Sequence, residues 1–67
     1  MAANPFAKFT DSYEKKNIYI DVREIVTISP QDEGSTGIGT KSDLTIEVKE
    51  KTDKVFEIIS AVLSQLN

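Results

Sequence analysis

The chain has 67 residues, eight of them basic and eleven acidic, with no cysteine or histidine, a formal net charge of -3 and a pI near 4.7. That length allows one domain, which buries only about 60% of the surface its unfolded chain exposes. Disulfides and the usual zinc, haem and iron–sulfur ligand sets are excluded, which leaves a well-packed core, self-association, or both to stabilise it. The scattered basic residues do not form a phosphate-binding stripe, so no nucleic acid is expected as a partner.

No apolar run approaches the ~20 residues that span a membrane, so no membrane is expected either. The opening MAANPFAKFTDS lacks a basic start followed by an apolar core and does not read as a secretory signal. Absent cysteine fits a reducing compartment, and a soluble cytoplasmic protein is expected. Residues 1–5 read as a loose end, because chain ends fray unless docked. Phe6 and Phe9, separated by Ala7 and Lys8, read as a docked first strand, because a small core needs apolar mass.

From Asn17, the residues Ile18, Ile20 and Val22 alternate with Tyr19 and Asp21. Period two with β-branched residues predicts a strand over about 17–22 with one buried face. Val22 to Ile25 reads as a short turn. A second core strand over about 25–29 is stopped by Pro30, which cannot donate a ladder hydrogen bond. Gln31-Asp32-Glu33-Gly34 is a polar turn ending in glycine.

The stretch Gly34 to Ser42, GSTGIGTKS, comes close to the phosphate-binding loop G-x-x-x-x-G-K-[ST]. Gly34 and Gly39 have the required separation. Thr40 stands where the lysine belongs, and Lys41-Ser42 arrive one residue late, which re-aims both side chains. The segment also leads into a strand where a phosphate loop would enter a helix, so it is not read as one. Thr36, Ile38 and Thr40 alternate with Gly37, Gly39 and Lys41, predicting a strand over about 35–41 and a tight turn at Ser42-Asp43. Two glycines on one face either ease a bulge or curvature, or leave a flat patch where a ligand or another backbone lies close. The second reading makes Gly37, Gly39, Thr36, Thr40, Lys41 and Ser42 a candidate ligand- or partner-binding site, since backbone N–H groups and hydroxyls can hold a phosphate.

Leu44, Ile46 and Val48 alternate with Thr45, Glu47 and Lys49, predicting a strand over about 44–49 with a wet outer face. A helix over about 53–66 follows, capped by Thr52 or Asp53, with Asp53 and Glu57 where the helix dipole favours negative charge. Val55, Phe56, Ile59, Val62, Leu63 and Leu66 recur at helical spacing as one apolar face, which Ile58 widens. The expected fold is α+β: a small antiparallel β-meander of three to four strands packed by one C-terminal α-helix, in a single domain. After Glu57 the chain carries no charged side chain. The neutral helix back, with Ser60 and Ser64, and the residues Ile58, Ala61, Val62 and Gln65 make a candidate self-association surface, with a symmetric homodimer as the first expectation.

The order Ile18-Tyr19-Ile20-Asp21-Val22-Arg23-Glu24-Ile25-Val26-Thr27-Ile28, a small-residue hairpin, Leu44-Thr45-Ile46-Glu47-Val48-Lys49-Glu50 and a capped helix resembles the FlbD-type small proteins encoded in bacterial flagellar operons. The likeness is one of layout over about residues 17–63. It implies the same fold and a bacterial or phage origin, and it supplies no catalytic residue. The glycines of the third strand, the Ser42-Asp43 turn and the Phe6/Phe9 extension depart from that pattern.

Enzymatic activity is not expected. General acid–base work usually needs histidine or a carboxylate in an altered environment. Asp21 with Glu24, and Asp32 with Glu33, read as solvated turns, and the familiar nucleophile sets need His or Cys. No cofactor is expected. The sequence favours a non-enzymatic interaction or regulatory protein that self-associates and binds a partner protein. The alternative is a protein that binds or sequesters a nucleotide-type small molecule around residues 34–42.

Overall fold

Alternating apolar residues at both ends of the chain build two antiparallel sheets around one helix. The computed structural model describes residues 4–66, so residues 1–3 of the expected loose end lie outside the described part. The elements run β1 (Phe6–Thr10), β2 (Asn17–Asp21), a 3-10 turn (Val22–Glu24), β3 (Ile25–Pro30), a second 3-10 turn (Asp32–Gly34), β4 (Thr36–Thr40), β5 (Thr45–Val48) and α1 (Thr52–Leu66). β1 and β2 form a hairpin, and β3-β4-β5 form an antiparallel meander. The α+β class and the single C-terminal helix are those expected; β1 is the docked first strand read from Phe6 and Phe9, and β2 leaves the meander to pair with it.

The sheets meet where β1 runs on past Thr10. Asp11 bridges to Val48, Lys49 N–H donates to Thr10 O at 2.8 Å, and Ser12 N–H donates to Glu47 O at 3.0 Å. Two carboxylates reinforce this seam. Glu50 accepts from Thr10 N–H at 2.9 Å and from Thr10 Oγ1 at 3.0 Å, while Glu47 reaches the hairpin loop as described below.

The core takes one face from each sheet. Ala7 and Phe9 of β1, Ile20 of β2, Val22 after it, Ile38 of β4, Val48 of β5 and Val55 of α1 are buried, and Ile58, Ile59, Val62 and Leu66 lean on them. Of the two early aromatics, Phe9 is fully buried and Phe6 is 48% exposed, as the period-two pleat requires. Pro5 is docked, its carbonyl accepting from Val22 N–H at 3.0 Å.

Four local expectations are corrected. Pro30 belongs to β3 and does not stop it. Gln31 N–H donates to Ser35 O. By antiparallel alternation Ser29 and Thr27 then bond to β4, while Ile28 and Pro30 turn their backbone outward, where a missing N–H breaks no ladder bond. Leu44 is 62% exposed. It ends the Lys41-Ser42-Asp43 turn, in which Asp43 has φ 63°, and the strand proper starts at Thr45. Thr52 does not cap α1 from outside but is its first residue, and its Oγ1 lies 3.2 Å from Thr36 Oγ1. Phe56 and Leu63 are 53% and 45% exposed, because the core-facing stripe centres on Val55, Ile59, Val62 and Leu66 and leaves them on its edge.

Candidate functional site

The residues of the GSTGIGTKS segment are spread along β4 and do not converge. Thr36, at one end, is fully buried. Its Oγ1 donates to Glu50 O at 2.8 Å and also meets the Thr52 hydroxyl, so it ties β4 to the start of α1. Thr40, at the other end, donates through Oγ1 to Leu44 O at 3.3 Å and closes the β4–β5 hairpin. Lys41 and Ser42 are exposed on that hairpin's tip. Five strand residues span about 17 Å, so the tip and the Gly34 turn cannot contact one small ligand together.

Gly37 and Gly39 lie on the outer face of the sheet but not as a bare patch. A Cβ on Gly37 would stand 2.7 Å from Gln31 Nε2, and a Cβ on Gly39 would stand 2.1 Å from Thr27 Oγ1. Side chains of β3 and of the turn after it therefore fill the space that the glycines leave. Ser29 opposes Gly37 and Thr27 opposes Gly39 across the ladder. The close approach is made by the neighbouring strand of the same chain.

A groove of about 340 Å³ opens at the other end of β4, between the Asp32–Gly34 turn and the first turn of α1. Pro30, Gln31, Gly34, Ser35, Lys51, Thr52 and Asp53 line it. Gly34 takes φ 84°, a conformation that glycine adopts without strain. Lys51 and the amides that start a helix favour an anion there, whereas the Asp53 carboxylate opposes one. Among the described residues no three carboxylates come together as a metal-binding group.

The most connected polar group is one the sequence did not single out. Glu47 projects from β5 on the outer face, opposite Gly37. It accepts from Ser35 Oγ at 2.8 Å, from Tyr13 OH at 3.0 Å and from Ser12 Oγ at 3.3 Å. These hydroxyls come from the β1–β2 loop and from the start of β4, so one carboxylate pins three segments. The hydrogen bond from Ser35, then that from Tyr13, holds the carboxyl below the ordinary carboxylate range, with Ser12 adding to it against partial burial and Asp11. Tyr13 is pushed up in turn, first by its hydrogen bond to Glu47 and then by that charge. Outward alternation placed Glu47 on a wet face, but nothing local marks Ser12 or Tyr13, 35 and 34 residues away, as its partners.

The pH behaviour follows from these directions. A carboxyl depressed in the folded state contributes stability above its unfolded value and loses it as pH falls through the folded one. A phenol raised in the folded state contributes below its unfolded value and loses it as pH rises through the folded one. Glu47→Gln is therefore expected to lower the thermal midpoint at neutral pH and to flatten its fall in acid. Tyr13→Phe should flatten the alkaline limb and, by removing one donor to Glu47, part of the acid limb as well. Midpoints by circular dichroism across pH check both, and an unchanged acid limb in Glu47→Gln would overturn the assignment.

The sequence-derived self-association residues divide. Ile58 and Val62 are partly buried against the core, and Ala61 and Gln65 are exposed. At 100° per residue, Phe56 and Leu63 lie on the opposite flank of α1 from Ala61 and Gln65. Phe56 and Leu63 make an exposed apolar stripe two turns long, with Ser60 between them. Asp21, read as a solvated turn residue, has a defined role. Its carboxylate accepts from Arg23 N–H at 2.9 Å and grips the guanidinium at 2.8 and 3.0 Å. Those bonds hold its pKa low and raise that of Arg23.

No family model, no curated protein and no solved structure matches the chain.

Proposed function

We propose that the chain is a non-enzymatic interaction module of bacterial or phage origin that acts in the cytoplasm by associating with itself and docking a partner protein. The observation that carries this reading is the distribution of apolar mass. Among the described residues seven hydrophobic side chains are buried as a core, and seven large ones stand exposed: Phe6, Tyr13, Tyr19, Val26, Leu44, Phe56 and Leu63. Single exposed apolar residues are ordinary, but aligned ones on small domains mark interaction surfaces. Phe56 and Leu63 align on α1, and Phe6 and Tyr19 lie diagonally across the outer face of the β1–β2 hairpin, where Phe6 pairs with Asp21 and Lys8 with Tyr19. The layout shared with FlbD-type proteins supports the origin.

A second reading is favoured by the groove at Gly34, Ser35 and Lys51, whose volume falls at the lower end of the ~300–1,000 Å³ of small-molecule sites. A nucleotide-type ligand would be bound or sequestered there and not along Gly37 and Gly39.

Native mass spectrometry on gently purified protein tests both readings. An oligomer of clean mass supports the module. A bare monomer at every concentration overturns self-association and leaves the partner protein alone. Extra mass fitting a nucleotide, lost in Lys51→Glu, supports the second reading.

A further inference from the structure

β3 alone among the described strands has no buried residue. Among the described strands it pairs with β4 alone, and Val26, Thr27, Ser29 and Pro30 are exposed. Its sequence, Ile25-Val26-Thr27-Ile28-Ser29-Pro30, carries no charge. Natural edges are usually blunted by charged side chains, by proline or by bulges. β3 has an irregularity between Ile25 and Thr27 and a proline at its far end, which leave the middle unguarded. There Ile28 turns both its N–H and its C=O outward, as the alternation set by Gln31 and Ser35 requires.

The two ends of this edge differ in charge. At its start stand Asp21, Arg23 and Glu24, joined by Lys41, whose backbone N–H donates to Glu24 O at 2.9 Å. Two cations balance two anions there. At its end stand Asp32 and Glu33, both exposed. A parallel neighbour of the same sequence would set Asp32 and Glu33 against themselves. An antiparallel one sets them against that balanced cluster instead, with Glu33 across from Arg23, twice, by symmetry. Arg23 keeps 64% of its side chain exposed even while Asp21 holds it.

We propose that two copies of the chain pair edge to edge and antiparallel through β3, about a two-fold axis at Ile28. This rests on the reading that the chain self-associates, and it names the surface. Each Ile28 donates to and accepts from the same residue of the second copy, and each Pro30 contributes its carbonyl alone. The two meanders become one six-stranded sheet. Helix α1 and the Phe56–Leu63 stripe stay free for a different protein. A six-residue edge is about 20 Å long, so the contact belongs to the small, weak interfaces and populates with concentration.

The test uses the full chain over a wide concentration range, followed by sedimentation and by amide hydrogen exchange. The expected result is a monomer–dimer equilibrium in which the Ile28 amide gains protection as dimer forms. Val26→Lys, whose side chain is already exposed, should weaken the dimer by about tenfold or more by putting a charge on the bare edge that pairing would have to desolvate. Glu33→Lys should weaken it too, by facing Arg23 of the second copy, and Arg23→Glu in the same chain should restore it. Dimerisation insensitive to Val26→Lys, with an Ile28 amide equally open at all concentrations, would overturn the β3 assignment and leave self-association standing. A wild-type monomer throughout would overturn both. Should Val26→Lys fail to fold, the wild-type Ile28 amide decides alone.

Discussion

Phe9→Ala is expected to remove about a third or more of the domain's stability, the largest loss from any single truncation in the core. Phe9 is fully buried and is the largest side chain in the core. Truncating a buried phenylalanine costs about 3–5 kcal/mol, from lost transfer energy and from the cavity left behind. A chain of this length holds only about 3–10 kcal/mol in total. Collapse into the cavity would reduce the loss, but the neighbours are short, branched and held on several elements. Ile38, Val48 and Val55, all fully buried, belong to the same core, so little slack exists to fill the space. Urea titration followed by circular dichroism checks this. A Phe9→Ala midpoint within experimental error of wild type would mean that the core lies elsewhere. Phe6→Ala, on the opposite pleat face, should cost far less.

Gly39→Ala is expected to destabilise the domain by about 1–3 kcal/mol, the range for forcing extra carbon into occupied space. Gly37→Ala should be close to neutral. The two glycines look alike in sequence and differ in what covers them. At Gly39 the obstacle is Thr27 Oγ1, 2.1 Å from the new Cβ, on a branched side chain with few χ1 choices. At Gly37 it is the far end of the long Gln31 side chain, which can swing aside. Alanine also removes the entropic penalty of glycine in a strand. Thr27→Ala in the Gly39→Ala background should recover most of the loss, because it removes the atom in the way. Such recovery is the non-additivity that contact between the two positions predicts. Thermal midpoints of the four single and double variants measure it. Equal effects at Gly37 and Gly39, or no recovery, would show that contact with Thr27 does not set the cost at Gly39.

Much of the fold was legible because period-two alternation is strong in short strands. Ile18 and Ile20, then Ile46 and Val48, fix which face turns inward, and the helix follows from Val55 to Leu66. The errors fall where a pattern ends. Leu44 continues the alternation of β5, but Asp43 at φ 63° turns the chain first. Phe56 and Leu63 fit the helical period, yet they lie about 100° round the helix from the Val55–Val62 face that packs on the core. The candidate site was less legible, for a different reason. Alternation says which side of a strand a residue faces, not what approaches that side from elsewhere. Thr27 over Gly39 and Gln31 over Gly37 depend on the β3–β4 register. The convergence of Ser12, Tyr13 and Ser35 on Glu47 depends on how two sheets meet.

The seam between β1 and β5 also sets an order of events. Thr10 and Glu50 are 40 residues apart, and closing a flexible loop of that length costs about 3 kcal/mol before any contact offsets it. The β3-β4-β5 meander closes its hairpins over a few residues each and can assemble without that cost. Topology thus makes the meander the early part of the structure and the docking of β1 the late part. The N-terminal strand carries the largest core side chain, so the domain stays hollow until its first strand arrives.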